Sequence, residues 1–291
     1  MAMYRLNLDS NSKNLDKYYR DERSQTLIRR QQGVLAIKIL SRTMRAVQKH
    51  RGASIAVING DEHFLALTES LNAQIISLFQ VMDVLAAEQA VLSLESVQLA
   101  NADWAAIERG WRQDTVISNY EFHCHLVDTL RRMANQTIER WILNGQDSSG
   151  AFAEGVRLTL FEIPEHIELM AKLRGLSTHA ASSRRCDDDT RIRLSFLIKH
   201  VDNEYRRLYP ALKELTGPLA GVEAFDRLPR QQEKLEQLLE IIQRRIIDAA
   251  RIRTDGSRIF NLSTETIDLY WETVEQALQI IENELLEQHF G

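Results

Sequence analysis

The 291-residue chain is 44% hydrophobic and 26% charged, enough apolar material to bury a sizeable core and too much for an intrinsically disordered polymer. A formal net charge of −5 gives no general attraction to phosphate backbones, so no nucleic-acid partner is expected, although a local basic patch is compatible with it. Two cysteines, Cys124 and Cys186, form no spaced framework and read as free thiols of a reducing compartment.

The four prolines, Pro164, Pro210, Pro218 and Pro229, leave long stretches in which helices can run. Residues 1–24 are polar and charged without a clear period, and are expected to form a mobile arm ahead of a helical body at 25–291. The helical period then predicts helices over 25–59, 62–93, 102–144, 151–183, 189–215, 223–252 and 262–289. Turn chemistry separates them at Asn59-Gly60-Asp61, Asn101-Ala102-Asp103, Asn144 to Gly150, Thr216-Gly217-Pro218 and Thr254 to Ser257. Asp61 and Ser263, followed by Glu62 and Glu265, have the character of helix caps. Short loops between long helices imply antiparallel neighbours, hence an all-α bundle of long helices, arranged as two four-helix-type bundles that share long helices.

The stretch Leu71 to Ala87 is the most apolar, but it contains Asn72, Gln74 and Asp83, so no membrane crossing is expected. The amino terminus lacks the basic-then-apolar order of a secretion signal. A soluble cytoplasmic protein is the expectation.

Charge appears where the helical period calls for apolar side chains. The first helix carries Ile37, Leu40, Met44, Val47, Arg51, Ile55 and Ile58 at spacings of three or four. The fourth repeats the arrangement with Ile163, Ile167, Met170, Arg174, Ser177 and Ala181, and the sixth with Leu235, Leu238, Ile242, Arg245 and Ala249, Arg244 lying one position to the side. A lone inward arginine commonly pairs with a buried acid or lays its stem on the core and reaches water. Two of these arginines, however, share the pattern Arg-Gly-apolar-Ser, as Arg51-Gly52-Ala53-Ser54 and Arg174-Gly175-Leu176-Ser177. Glycine inside a helix costs ~1 kcal/mol relative to alanine, so close approach of a neighbour or ligand is expected at both. The matching motifs suggest a degenerate internal repeat, with halves near 25–145 and 151–291.

The segment Gln48-Lys49-His50-Arg51-Gly52-Ala53-Ser54 resembles the first motif of the nitrate- and nitrite-sensing domain family, Gln-x-Glu-Arg-Gly-x-Ser, with His50 in place of the glutamate. Leu173-Arg174-Gly175-Leu176 resembles the arginine motif of that family's second half. Gln243-Arg244-Arg245-Ile246-Ile247 is similar to its later Glu-Arg-Gly-Leu-Leu motif, with Arg245 in place of the glycine. The resemblance implies an all-helical double bundle that binds nitrate or nitrite between helices and relays binding to an output. It carries over to Arg51 and Arg174 directly. For the third motif the alignment points to Arg244 and the helical period to Arg245, of which the period favours Arg245. No output region accompanies the motifs here, so the signal is expected to pass to a separate partner or through self-association. A guanidinium fork suits a planar trigonal anion, and Ser54 and Ser177, one turn on, could add donors or simply bond a carbonyl one turn back.

Other chemistry finds little support. His123-Cys124-His125 diverge by about 100° per residue on a helix and cannot converge on one ion, and Cys186 to Asp189 reads as an acidic helix start. The Glu-x-x-His pairs of di-iron bundles, phosphate-binding glycine loops and the serine-hydrolase elbow are all absent, so neither an enzyme nor a cofactor is expected. The competing reading is a helical interaction scaffold without a small-molecule ligand.

Overall fold

A computed structural model describes residues 2–88, 90–144 and 150–290, with side-chain surroundings over 25–88, 90–144 and 150–287. Its elements are helical throughout the described residues: α1 (Ala2–Ile58), α2 (Leu65–Ala87), α3 (Leu94–Gly110), α4 (Val116–Ile138), α5 (Ala151–Arg157), α6 (Ile163–Ser182), α7 (Asp188–Glu214), α8 (Leu228–Ile242) and α9 (Gly256–Phe290). Wider π-helical turns follow α4 at Glu139–Leu143, join α5 to α6 at Leu158–Glu162, and follow α8 at Gln243–Ile247.

The expected all-α bundle is the observed architecture, with differences in where helices begin and end. The first helix starts at Ala2, so the backbone of the segment expected to be an irregular arm is helical. That segment contains neither proline nor glycine, and nothing in it stops a helix. The helix expected over 102–144 is two, because the chain turns between Gly110 and Thr115. Thr115 then caps α4 by accepting from the Ser118 N–H at 3.1 Å, and Ser93 caps α3 from the Ser96 N–H at 3.3 Å. Asn101-Ala102-Asp103, expected to be a turn, lies inside α3. Ser263 lies within α9, where its hydroxyl donates to the Ile259 carbonyl at 2.8 Å. Asp187 caps α7 as the acidic run suggested, accepting from Thr190 N–H at 2.9 Å. Of the expected turn from Asn144 to Gly150, residues 145–149 lie outside the described residues. Gly60 (φ 86°) supplies the left-handed conformation that ends α1.

Two helices are buried almost all round. From Val34 to Ala56 most of α1 is enclosed, and α6 is enclosed from Ile163 to Ala181. Such helices belong at the centre of a bundle rather than on its surface. They pack on each other; α2 and α4 also lie against α1, α7 lies against α6, and α9 packs on both. The remaining helices lie outside these, with α3 on α2 and α4, and α8 on α9. Glu62–Ala87 is long and apolar enough, by length and composition, to cross a membrane; its inward face, with Leu71, Ile75, Phe79, Met82 and Leu85, is buried on the bundle.

Candidate anion site

Where α1 and α6 pack, the two matching motifs meet. Arg51 and Arg174 are both fully buried. Each glycine lies against the other helix's arginine: a Cβ on Gly52 would stand 3.6 Å from Arg174 Nε, and one on Gly175 would stand 3.8 Å from Arg51 Nε. The closest approach at Gly52 is made by the Phe260 ring, 2.9 Å from that Cβ position, and at Gly175 by the Tyr120 ring at 3.6 Å, with the arginines just behind them. Each guanidinium also covers an aromatic ring, Arg51 over Tyr120 at 5.4 Å and Arg174 over Phe260 at 5.1 Å.

The counter-charges differ. Arg51 holds Glu168 of α6 as a fork, Nη1 to Oε1 at 2.7 Å and Nη2 to Oε2 at 3.2 Å, and it donates to Cys124 Sγ at 3.0 Å. Gln48 of the first motif donates to the same Glu168 at 2.8 Å, and Lys172 stands 3.8 Å away with its side chain 25% exposed. Burial works against the charge of Arg51, but Cys124, Glu168 and Tyr120 outweigh it and raise the pKa.

Arg174 has no ion pair among the described residues. It donates from Nη1 to the Thr264 hydroxyl at 2.9 Å, while Nε and Nη2 have no hydrogen-bond partner there. Burial first, and the charge of Arg51 second, push its pKa down to about 9. A buried, under-bonded guanidinium costs several kcal/mol and attracts an anion. Among nearby groups, Asp268 is held by Arg45 and Lys49, 3.1 and 3.2 Å away, on the partly exposed rim.

Of the other sequence-predicted residues, Ser54 donates to Asn119 Oδ1 at 2.9 Å and to the Arg51 carbonyl at 3.2 Å, and Ser177 donates to the Leu173 carbonyl at 2.7 Å. Both hydroxyl protons are thus taken up by acceptors within the protein. Arg245, expected to face inward, is exposed, as is Arg244. The π-helical turn over Gln243–Ile247 adds a residue to the turn and rotates the face, so Ile246 and Ile247 point inward. Arg244 pairs with Glu240 at 2.9 Å, and both arginines line a surface basin with Arg251, Arg253 and Arg258.

A histidine pair abuts the site. The His123 Nδ1–H donates to the Asn119 carbonyl at 2.7 Å, leaving Nε2 to accept from His50 Nδ1–H at 2.8 Å. Burial, opposed by the Asn119 bond and reinforced by Arg51, lowers His123 to about 3; burial and then His123 hold His50 well below its ordinary value. His125 is exposed while His123 is buried, so the His-Cys-His run splits across the helix.

Fold and site together define an all-α bundle whose two central helices cross at a pair of buried arginines, one neutralised internally and one not. The fold is similar to that in the structure of the NasR transcription antiterminator, with a TM-score of 0.60 and 17% identity across 96% of this chain and 76% of that one. No protein-family model and no curated protein sequence matches the chain.

Proposed function

We propose that the protein is a cytoplasmic sensor of a small planar anion, nitrate or nitrite, which binds at Arg174 between α1, α6 and α9 and alters how the protein engages a signalling partner or a second copy of itself. The observation that carries the proposal is the fully buried Arg174 guanidinium, with two donor nitrogens unbonded and no carboxylate against it. Nitrate presents coplanar oxygens that can accept two parallel N–H bonds from such a fork. Support also comes from the resemblance of the Arg51 and Arg174 motifs to nitrate- and nitrite-sensing domains, and from a fold like that of a transcription antiterminator. The Arg51–Glu168 fork favours the scaffold alternative, since that arginine is answered within the chain.

A thermal-shift and calorimetric comparison separates the two. At ~100 times its dissociation constant a ligand specific to the folded state adds ~2.7 kcal/mol, a shift of several degrees. Nitrate is expected to exceed chloride at matched ionic strength, and Arg174→Lys, which keeps the charge but loses the fork, to weaken binding at least tenfold. Equal responses to nitrate and chloride would leave the scaffold reading.

A further inference from the structure

From the geometry around Glu168 we infer that this carboxylate sets the charge of the anion the centre accepts, selecting monovalent over divalent anions. The inference rests on the reading of Arg174 as the anion site. Arg51, Arg174 and Glu168 are each at least 95% buried, and together they leave one uncompensated positive charge. Glu168 is the only carboxylate bonded to either guanidinium among the described residues. The other charges near the centre largely cancel on the rim, where Arg45 pairs with Asp268 and Glu275 and Lys49 pairs with Asp268. Lys172, the remaining cation beside Glu168, is partly in water and screened.

A monovalent anion at Arg174 brings the buried cluster to neutrality, whereas sulfate or a phosphate dianion would leave a net negative charge away from solvent. Burial of an uncompensated charge is strongly disfavoured, so discrimination follows from charge even where shape and hydrogen bonds are similar. Glu168 is well placed for this role because it is not free to move aside. Two Arg51 nitrogens and Gln48 Nε2 hold both of its oxygens.

Calorimetric titration of nitrate and of sulfate, at one ionic strength, into wild type and Glu168→Gln tests the inference. The wild type is expected to bind nitrate at least tenfold more tightly than sulfate. Glu168→Gln removes the negative charge with little change in shape, and should shift the ratio at least tenfold toward sulfate. If that variant does not fold, the double change Arg51→Met with Glu168→Leu removes the ion pair together and leaves Arg174 alone; it should retain the nitrate preference. A wild type that binds both anions equally, a Glu168→Gln ratio within twofold of wild type, or a double variant that prefers sulfate overturns the inference while leaving Arg174 as the anion site. No nitrate binding by the wild type or by either variant defeats the anion-site reading itself.

Discussion

Arg51 and Arg174 stand in matching motifs, on two enclosed helices that cross, each over an aromatic ring and against the other's glycine. Their counter-charges nevertheless differ, and the cause can be read from one position. Glu168 precedes Arg174 by six residues and reaches across to Arg51. The residue six before Arg51 is Arg45, which turns to Asp268 and Glu275 instead. The same local motif on two helices thus yields one neutralised and one under-bonded guanidinium. The lesson is that charge balance at a recurring motif depends on tertiary neighbours outside it.

The largest expected effect bears directly on that contrast. Arg51→Met strands Glu168 in the interior and should cost ~3–5 kcal/mol in a urea unfolding titration. Arg174→Met strands no partner charge and should leave ligand-free stability unchanged or higher. Equal losses for the two would erase the distinction. A smaller difference is expected at the glycines. A Cβ on Gly52 would meet Phe260 Cε2 at 2.9 Å, a clash with a packed ring, whereas one on Gly175 would meet Tyr120 at an ordinary 3.6 Å. Gly52→Ala should therefore lose ~1–3 kcal/mol. Gly175→Ala should be neutral, or gain up to ~1 kcal/mol of helix propensity, in the same titration.

An effect absent at pH 8 and growing only as pH falls concerns the histidines. His123 is bonded on both nitrogens, but His166 of α6 has no hydrogen-bond partner among the described residues and lies against the Tyr270 and Tyr205 rings. Burial, with Glu204 opposing, lowers His166 to about 4. A depressed folded-state value means that the unfolded chain takes up the proton first as pH falls. Stability is complete above the unfolded value of ~6.5 and declines toward pH 4 at about 1.4 kcal/mol per unit for each such histidine. His166→Phe should flatten that slope by one histidine's share and preserve stability at pH 8 to within about 1 kcal/mol. His123→Phe should also flatten the slope, because His123 is depressed as well, but it should cost stability at pH 8, where it removes the bonds to Asn119 and His50. Urea midpoints measured from pH 8 to 4.5 compare the two.

Much of the fold was legible because apolar residues at spacings of three and four mark helices whatever their neighbours. The break at Trp111 to Thr115 was not, since no proline marks it and its signals are a lone glycine, Gly110, ending α3 and the threonine cap that starts α4. Arg51 and Arg174 were legible as charges inside otherwise apolar stripes. Arg245 misled because the stripe reading assumes 3.6 residues per turn, and the π-helical turn breaks that period. Glu168, Thr264, Tyr120 and Phe260 carry no local mark. They matter through contacts set by packing, and the sequence holds 41 acidic residues from which to choose a partner for an arginine.

The fork between Arg51 and Glu168 joins residues 117 positions apart, and the bond from Arg174 to Thr264 joins residues 90 apart. Neither of these two bonds can form within one stretch of chain. The entropy of closing those long loops must be met before any of the buried charge is compensated. A fragment holding α1 without α6 would carry the Arg51 guanidinium with no Glu168 carboxylate to meet it.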